Sequence, residues 1–323
     1  MLCRMDAEKS RTLQPPAAVV FVSGGLASWA TAMLARKAYK GRIVYLFNDT
    51  LTEDADLYRF LIEGLCIVLK VKKPAGLLGR CRALPGVDSD QSIEVRRREL
   101  AEIRAEAMAR LPGFIWQCDG RTPWEAWEAN SFIGNSRVAH CSIDLKAVMG
   151  DRWIKQNAGP NTVQEFGMYW DEGGRIERLR KLKGQPIGQL LYESGLTHSD
   201  IAEMAAAAGL KVGRSYGAGF AHDNCSGLCC RAGKKHWAMK YAQNPAEARY
   251  FAGKEAELLA TVPGGLPMIK EERQGKPYGV PLNAFLDRLD AERPAIDSLD
   301  DLGSGCGCTL AAIEQMAESV APQ

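Results

Sequence analysis

Ser23-Gly24-Gly25-Leu26-Ala27-Ser28 follows an apolar run, Ala17-Ala18-Val19-Val20-Phe21-Val22, and precedes a segment with helical spacing. Glycines let a backbone turn sharply and bring its N–H groups close to a ligand. N–H groups that converge at a helix N-terminus bind phosphate well. Strand, Ser-Gly-Gly, Ser and helix in that order therefore describe either a phosphate cradle or a tight strand-to-helix turn. The spacing is not the Walker pattern, because no Gly-Lys-Ser/Thr follows, and it is not GxGxxG. A second cluster, Asn48, Asp49 and Thr50 with Glu53 and Asp54, ends the next apolar run. Carboxylates beside a phosphate cradle can hold magnesium or a ribose, and at a helix start they also cap the dipole.

Cysteine supplies a third kind of chemistry. Of 10 cysteines, Cys3, Cys66, Cys81, Cys118 and Cys141 are scattered, while Cys225/Cys229/Cys230 and Cys306/Cys308 are clustered. Clustering of this kind points to a metal more than to disulfides. Cys225, Cys229, Cys306 and Cys308 form the expected quartet for Zn2+ or a 4Fe-4S cluster, with Cys230 the spare. Cys66 and Cys118 read as small buried hydrophobes. His222 and His236 flank the cysteine turn as packing residues or ligands, and His140 stands next to Cys141.

These residues need a frame. Residues 17–22, 41–50 and 66–71 read as buried strands and 27–40 and 53–65 as helices, which predicts an α/β fold with a doubly wound parallel sheet. Ligands of such sheets gather at the carboxyl ends of the strands. Residues 72–90 read as a loop, 91–110 and 141–157 as helices, and 162–170 as a strand. Thr197, Asp200 and Gly209 predict a capped helix over 194–210. A helix over 234–243 follows the cysteine turn, and another covers Leu282–Leu289. The expected organisation is a leader (1–16), a nucleotide-binding domain (17–220) and a mostly helical, cysteine-rich C-terminal region (221–323).

The chain of 323 residues is 46% apolar and 25% charged, enough for a sizeable core, and its net charge of +2 does not announce a nucleic-acid binder. No run of 18 apolar residues predicts a membrane span, the N-terminus lacks the apolar core of a signal peptide, and a cytoplasmic protein is expected. Arg96-Arg97-Arg98 shares its segment with Glu94, Glu99 and Glu102 and reads as a solvated, ion-paired face. Residues 175–184 are more one-sidedly basic. With Arg231, Lys234 and Lys235 they form either plain surface or a strip for a polynucleotide backbone.

Ser23-Gly24-Gly25-x-x-Ser28 resembles the PP-loop of the adenine nucleotide alpha-hydrolase superfamily. FNDTLTEDADLYRFL, DGRTPWE and NSRVAHCSIDLK extend the resemblance toward the phosphoadenosine-phosphosulfate (PAPS) reductase-like branch, in versions found in phages and mobile elements. It spans roughly residues 18–240, with a cysteine tail to 308. It implies that Ser23, Gly24, Gly25 and Ser28 bind the phosphates of ATP or PAPS, and that Asp49 and Thr50 lie near the adenosine or its Mg2+. Ser136, Arg137, Cys141, Ser142 and Lys146 match the Ser-Arg…Cys-Ser-x-x-Leu-Lys segment. Arg137, Lys146 and Asp49 are the implied catalytic residues, with the two cations clamping the phosphates. Ala27 stands where many PP-loops carry Asp. Cys306-Gly307 lacks the Glu and His of the reductase motif. The implied function is ATP-dependent adenylation of an acceptor, a nucleotide or nucleic acid, then sulfur transfer with a sulfur-donor protein as partner. The alternatives are a sulfonucleotide reductase and a non-catalytic nucleotide-binding subunit of a modification or defence assembly.

Overall fold

A computed structural model describes residues 14–136, 138–220 and 224–299. Four strands, β1 (Ala18–Phe21), β2 (Ile43–Asp49), β3 (Phe114–Cys118) and β4 (Val163–Glu165), form one sheet in the order β3-β2-β1-β4, all parallel. Period-2 alternation sends their side chains to two faces. Val20, Tyr45, Phe47, Phe114 and Trp116 enter the large core on one side. Val19, Val44 and Leu46 pack on Trp153 and Ile154 on the other. Helices therefore cover both faces, as the apolar runs require.

The first face carries α1 (Leu26–Ala38), α2 (Ala55–Leu69), α3 (Ala75–Arg82) and α4 (Asp90–Arg110). Between β3 and β4 lie α5 (Pro123–Ala129), a short α6 (His140–Ser142), a π-helix (Ile143–Val148) and α7 (Met149–Asn157). After β4 come a 3-10 turn (Trp170–Glu172), α8 (Gly173–Leu182), α9 (Leu190–Ser194), α10 (His198–Ala207) and α11 (Arg214–Gly217). The C-terminal part adds α12 (Lys234–Gln243), α13 (Pro245–Thr261), an antiparallel hairpin of β5 (Ile269–Arg273) and β6 (Lys276–Val280), and α14 (Leu282–Glu292). Among the described residues no helix is long and apolar enough to cross a membrane.

Several expectations are corrected. Residues 66–71 are not a strand: Cys66–Leu69 finish α2, and Lys70 ends it in the left-handed conformation at φ 55°. Leu61, Leu65 and Val68 continue the helical stripe into the core, and this packing overrides the strand-like composition. The third strand is β3. Residues 72–90 hold α3, whose Leu77, Leu78 and Cys81 are buried. The strand expected over 162–170 shortens to β4. The capping box of Thr197 and Asp200 on α10 stands as expected. The boundary expected at 220 does not separate two cores. Val87, Ile93, Trp124, Trp127 and Ile133 share one cluster with Leu228, Trp237, Phe251 and Phe285.

Arg96 is not part of a solvated face. It is 1% exposed and donates to the carbonyls of Leu51 (2.8 Å), Pro85 (2.6 Å) and Glu53 (2.5 Å). Its neighbours behave as expected: Arg97 pairs with Glu94 and Glu125, and Arg98 points outward. Arg96 thus fixes the loop after β2 from within. Replacing it with Ala orphans three carbonyls and should cost roughly 3–5 kcal/mol in denaturant unfolding, whereas Arg98→Ala should stay within about 0.5 kcal/mol.

Candidate functional site

The strand order places β1 at a reversal. The chain moves from β1 outward to β2 and β3, then returns to lay β4 on the other side of β1. A crevice at such a switch point, beyond the strands' carboxyl ends, is where open α/β sheets bind ligands. Ser23-Gly24-Gly25 occupies the β1 side of it. Gly24 needs its freedom: its φ is 81°, and a Cβ there would lie 2.5 Å from Leu57. Gly25 is the N-cap of α1, with no side-chain cap and no acidic residue in the first turn. The helix N-terminus therefore keeps its positive end open. Ser28 shapes the turn, accepting from the Ser23 N–H at 3.1 Å and donating to the Gly25 carbonyl at 2.9 Å.

Two segments close on this loop that sequence reasoning missed. A Cβ on Gly167, just past β4, would lie 2.7 Å from the Ser28 nitrogen, so glycine is what lets the two backbones meet. The Tyr216 hydroxyl would lie 3.2 Å from a Cβ on Gly25. Neither is visible in the sequence, because each acts across more than a hundred residues.

At the neighbouring end of β2 the expected residues separate into two roles. Asp49 is 1% exposed, and its carboxylate accepts from Tyr58 Oη (2.7 Å), Trp116 Nε1 (3.1 Å) and the Leu51 N–H (2.9 Å). Burial raises its pKa, and the Tyr58 hydrogen bond opposes the rise. These three hydrogen bonds commit its oxygens to holding the loop after β2. Thr50 donates to Glu53 at 3.1 Å. Magnesium does not fit these side chains as they stand. Asp54 does cap α2, accepting from the Asp56 N–H at 2.8 Å, but Glu53 does not.

Glu53 is fully buried and is the hub of the site. Lys146 Nζ lies 2.9 Å from its Oε1, and the Cys225 N–H donates to its Oε2 at 2.5 Å. Lys146 reaches inward from the π-helix, a wider turn that is frequent at functional sites. Asn48 Nδ2 donates to the Lys146 carbonyl at 2.9 Å and ties that turn to β2. Cys225 (φ 54°, ψ 30°) and Ser226 (φ 51°, ψ 25°) are left-handed, followed by Gly227 (φ 74°). Two consecutive non-glycine residues in this region cost about 1–2 kcal/mol each. The Glu53 contact, the Leu228 N–H on the Cys225 carbonyl (2.7 Å) and His236 Nε2 on the Gly227 carbonyl (2.7 Å) hold the turn. His236 thus braces the turn from α12.

This turn lines a small cavity with Thr50, Cys141, Ser142, Lys146, Cys229, Cys230 and Arg231. Four cysteines line one space, Cys225, Cys229 and Cys230 of the turn and Cys141, a residue singled out through the resemblance. Among the described residues no three His, Cys, Asp or Glu side chains stand in metal-binding geometry. Cys306 and Cys308, the other half of the expected quartet, lie outside the described residues, as do Arg137 and His222. Ser136 does not line this cavity but a larger cleft with Gly233, Lys234 and Glu271. Of the basic residues weighed as surface or strip, Arg231 lines the cysteine cavity and Lys235 pairs with Asp297 at 2.9 Å.

No protein-family model, curated protein or solved structure matches the chain.

The Lys146–Glu53 pair makes a specific forecast. Lys146→Ala leaves a buried carboxylate without its cation and should cost roughly 3–5 kcal/mol of stability. Adding Glu53→Gln removes that charge while keeping an acceptor for the Cys225 N–H, and should restore most of the loss. Urea unfolding of both variants checks this.

Proposed function

We propose that the chain is a PP-loop protein of the PAPS reductase-like kind, which activates an acceptor with ATP and prepares it for sulfur transfer. The observation that carries this reading is the uncapped, acid-free start of α1 on the Ser23–Gly25 turn, at the point where the strand order reverses. The triphosphate lies on the N–H groups of that turn. An acceptor oxygen attacks the α-phosphorus, the bond to the bridging oxygen breaks, and pyrophosphate leaves over Ser23–Ser28. The acceptor's proton passes to solvent. Adenylation makes the acceptor oxygen a good leaving group, and fixed N–H dipoles stabilise the departing pyrophosphate. A sulfur nucleophile from a donor protein then displaces AMP, forming a carbon–sulfur bond as the carbon–oxygen bond breaks.

Lys146 supplies positive charge at the next strand end, with Glu53 holding its ammonium in place. The four-thiol cavity beside it supports a role in handling sulfur. A thiolate-bound metal or iron–sulfur centre would use Cys225 and Cys229 together with Cys306 and Cys308, and no step is routed through one.

Calorimetry with ATP, followed by ATP–pyrophosphate exchange, tests the reading. The wild-type protein should bind ATP. Gly25→Val, whose branched side chain covers the loop N–H groups and meets Tyr216, should lose binding while its unfolding temperature stays within about 3 °C. Equal affinity in a folded Gly25→Val protein would refute the loop as the phosphate site. Sulfite release from PAPS would instead favour the reductase.

A further inference from the structure

Two donors on the wall of the cysteine cavity take no part in the phosphate loop or in the contacts of Glu53. The Ser142 hydroxyl and the Trp127 indole line that cavity on residues only 3% and 1% exposed. Among the described residues neither Ser142 Oγ nor Trp127 Nε1 has a hydrogen-bond partner. Buried polar groups are almost always matched, so two such donors on one wall call for an acceptor. Glycine at 134 keeps the indole edge clear. A Cβ there would lie 2.7 Å from Trp127 Nε1 and 2.8 Å from Cys230 Sγ.

Size, polarity and softness narrow what the acceptor can be. The cavity volume is about 20 Å³, room for about one water-sized group. A tetrahedral oxyanion or a nucleotide phosphate is too large for it. Water fits by size, but it brings two protons that need acceptors. The indole of Trp127, the ammonium of Lys146 and the guanidinium of Arg231 only donate. Lys146 keeps its bond to Glu53 and Arg231 its own contacts, and both still bring positive charge to the wall. An ion that only accepts, one heavy atom in size, suits these walls better than water. The four cysteine sulfurs beside it are polarizable and favour a soft ion over a hard one.

We infer that the cysteine cavity binds one hydrosulfide ion, held by the Ser142 hydroxyl and the Trp127 N–H in the positive field of Lys146 and Arg231. This deepens the proposed function by naming a form of sulfur held beside the nucleotide site, and it rests on that reading only for the ion's use. Binding is measured without ATP, by anaerobic calorimetry of the reduced full-length protein with sodium hydrosulfide at mildly alkaline pH. A Gly25→Val protein that no longer binds ATP should take hydrosulfide as the wild type does, which separates the two questions. Ser142→Ala should weaken hydrosulfide binding about 10-fold, the loss of one hydrogen bond to a charged group. Without hydrosulfide the same variant should unfold no earlier than wild type, because it removes an unmatched hydroxyl; a merely structural hydroxyl would lower the unfolding temperature. Crystals soaked in sodium bromide locate the site. The anomalous peak should lie within hydrogen-bond reach of Ser142 Oγ and Trp127 Nε1, and hydrosulfide should displace it. Absence of hydrosulfide binding, equal affinity in Ser142→Ala, chloride bound as tightly as hydrosulfide, a bromide peak only elsewhere, or a metal bonded to the cysteine sulfurs in that space would each overturn the inference.

Discussion

One buried carboxylate joins the parts of this molecule that matter for its chemistry. Glu53 receives a hydroxyl from the loop after β2, an ammonium from the π-helix and a backbone N–H from the cysteine turn. These partners come from segments far apart in sequence. An ionised carboxylate so deeply buried costs several kcal/mol unless it is paired and hydrogen-bonded, so each partner is required as much as it is attractive. Arg96 binds the carbonyl of the same residue from the opposite side. Glu53 thereby acts as a three-way joint whose geometry is fixed by electrostatic need rather than by shape alone.

Local irregularity collects around that joint. The π-helix departs from regular helix geometry where it presents Lys146, and the left-handed pair Cys225–Ser226 departs from ordinary backbone where it presents a thiol. Both departures are opposed by intrinsic preference and stabilised by contacts to the β2 end, through Asn48 for the first and Glu53 for the second. Strain kept this way gathers where a fold positions reactive groups. By contrast the Ser-Gly-Gly loop achieves its geometry without cost, because Gly24 occupies the position with positive φ.

Much of this was legible in the sequence. The continuous apolar runs of β1 and β2, the Ser-Gly-Gly turn and the capping box at Thr197 are local signals, and each appears where local physics puts it. Residues 66–71 misled because an apolar run of β-branched residues fits a strand as well as a helix end, and only contact with the core decides. Arg96 misled because a neighbouring pair of arginines with nearby glutamates describes a solvated face. Its burial depends on three carbonyls that no spacing rule reveals. Asp49 was visible as a strand-end carboxylate, but its commitment to Tyr58 and Trp116 was not. Tyr216 and Gly167 carried no local signal at all.

The shared apolar cluster has a consequence for how the thiols meet solvent. Trp124 and Trp127, inserted between β3 and β4, pack with Trp237 and Phe251 from the C-terminal helices, and Trp127 also walls the cysteine cavity. The cavity therefore lies in a seam between the sheet and the helices laid over it. Opening that seam exposes indoles and thiols together, so the two events share one free-energy cost. Thiol modification then works as a clock: its rate counts how often the seam parts, and anything that tightens the seam slows it.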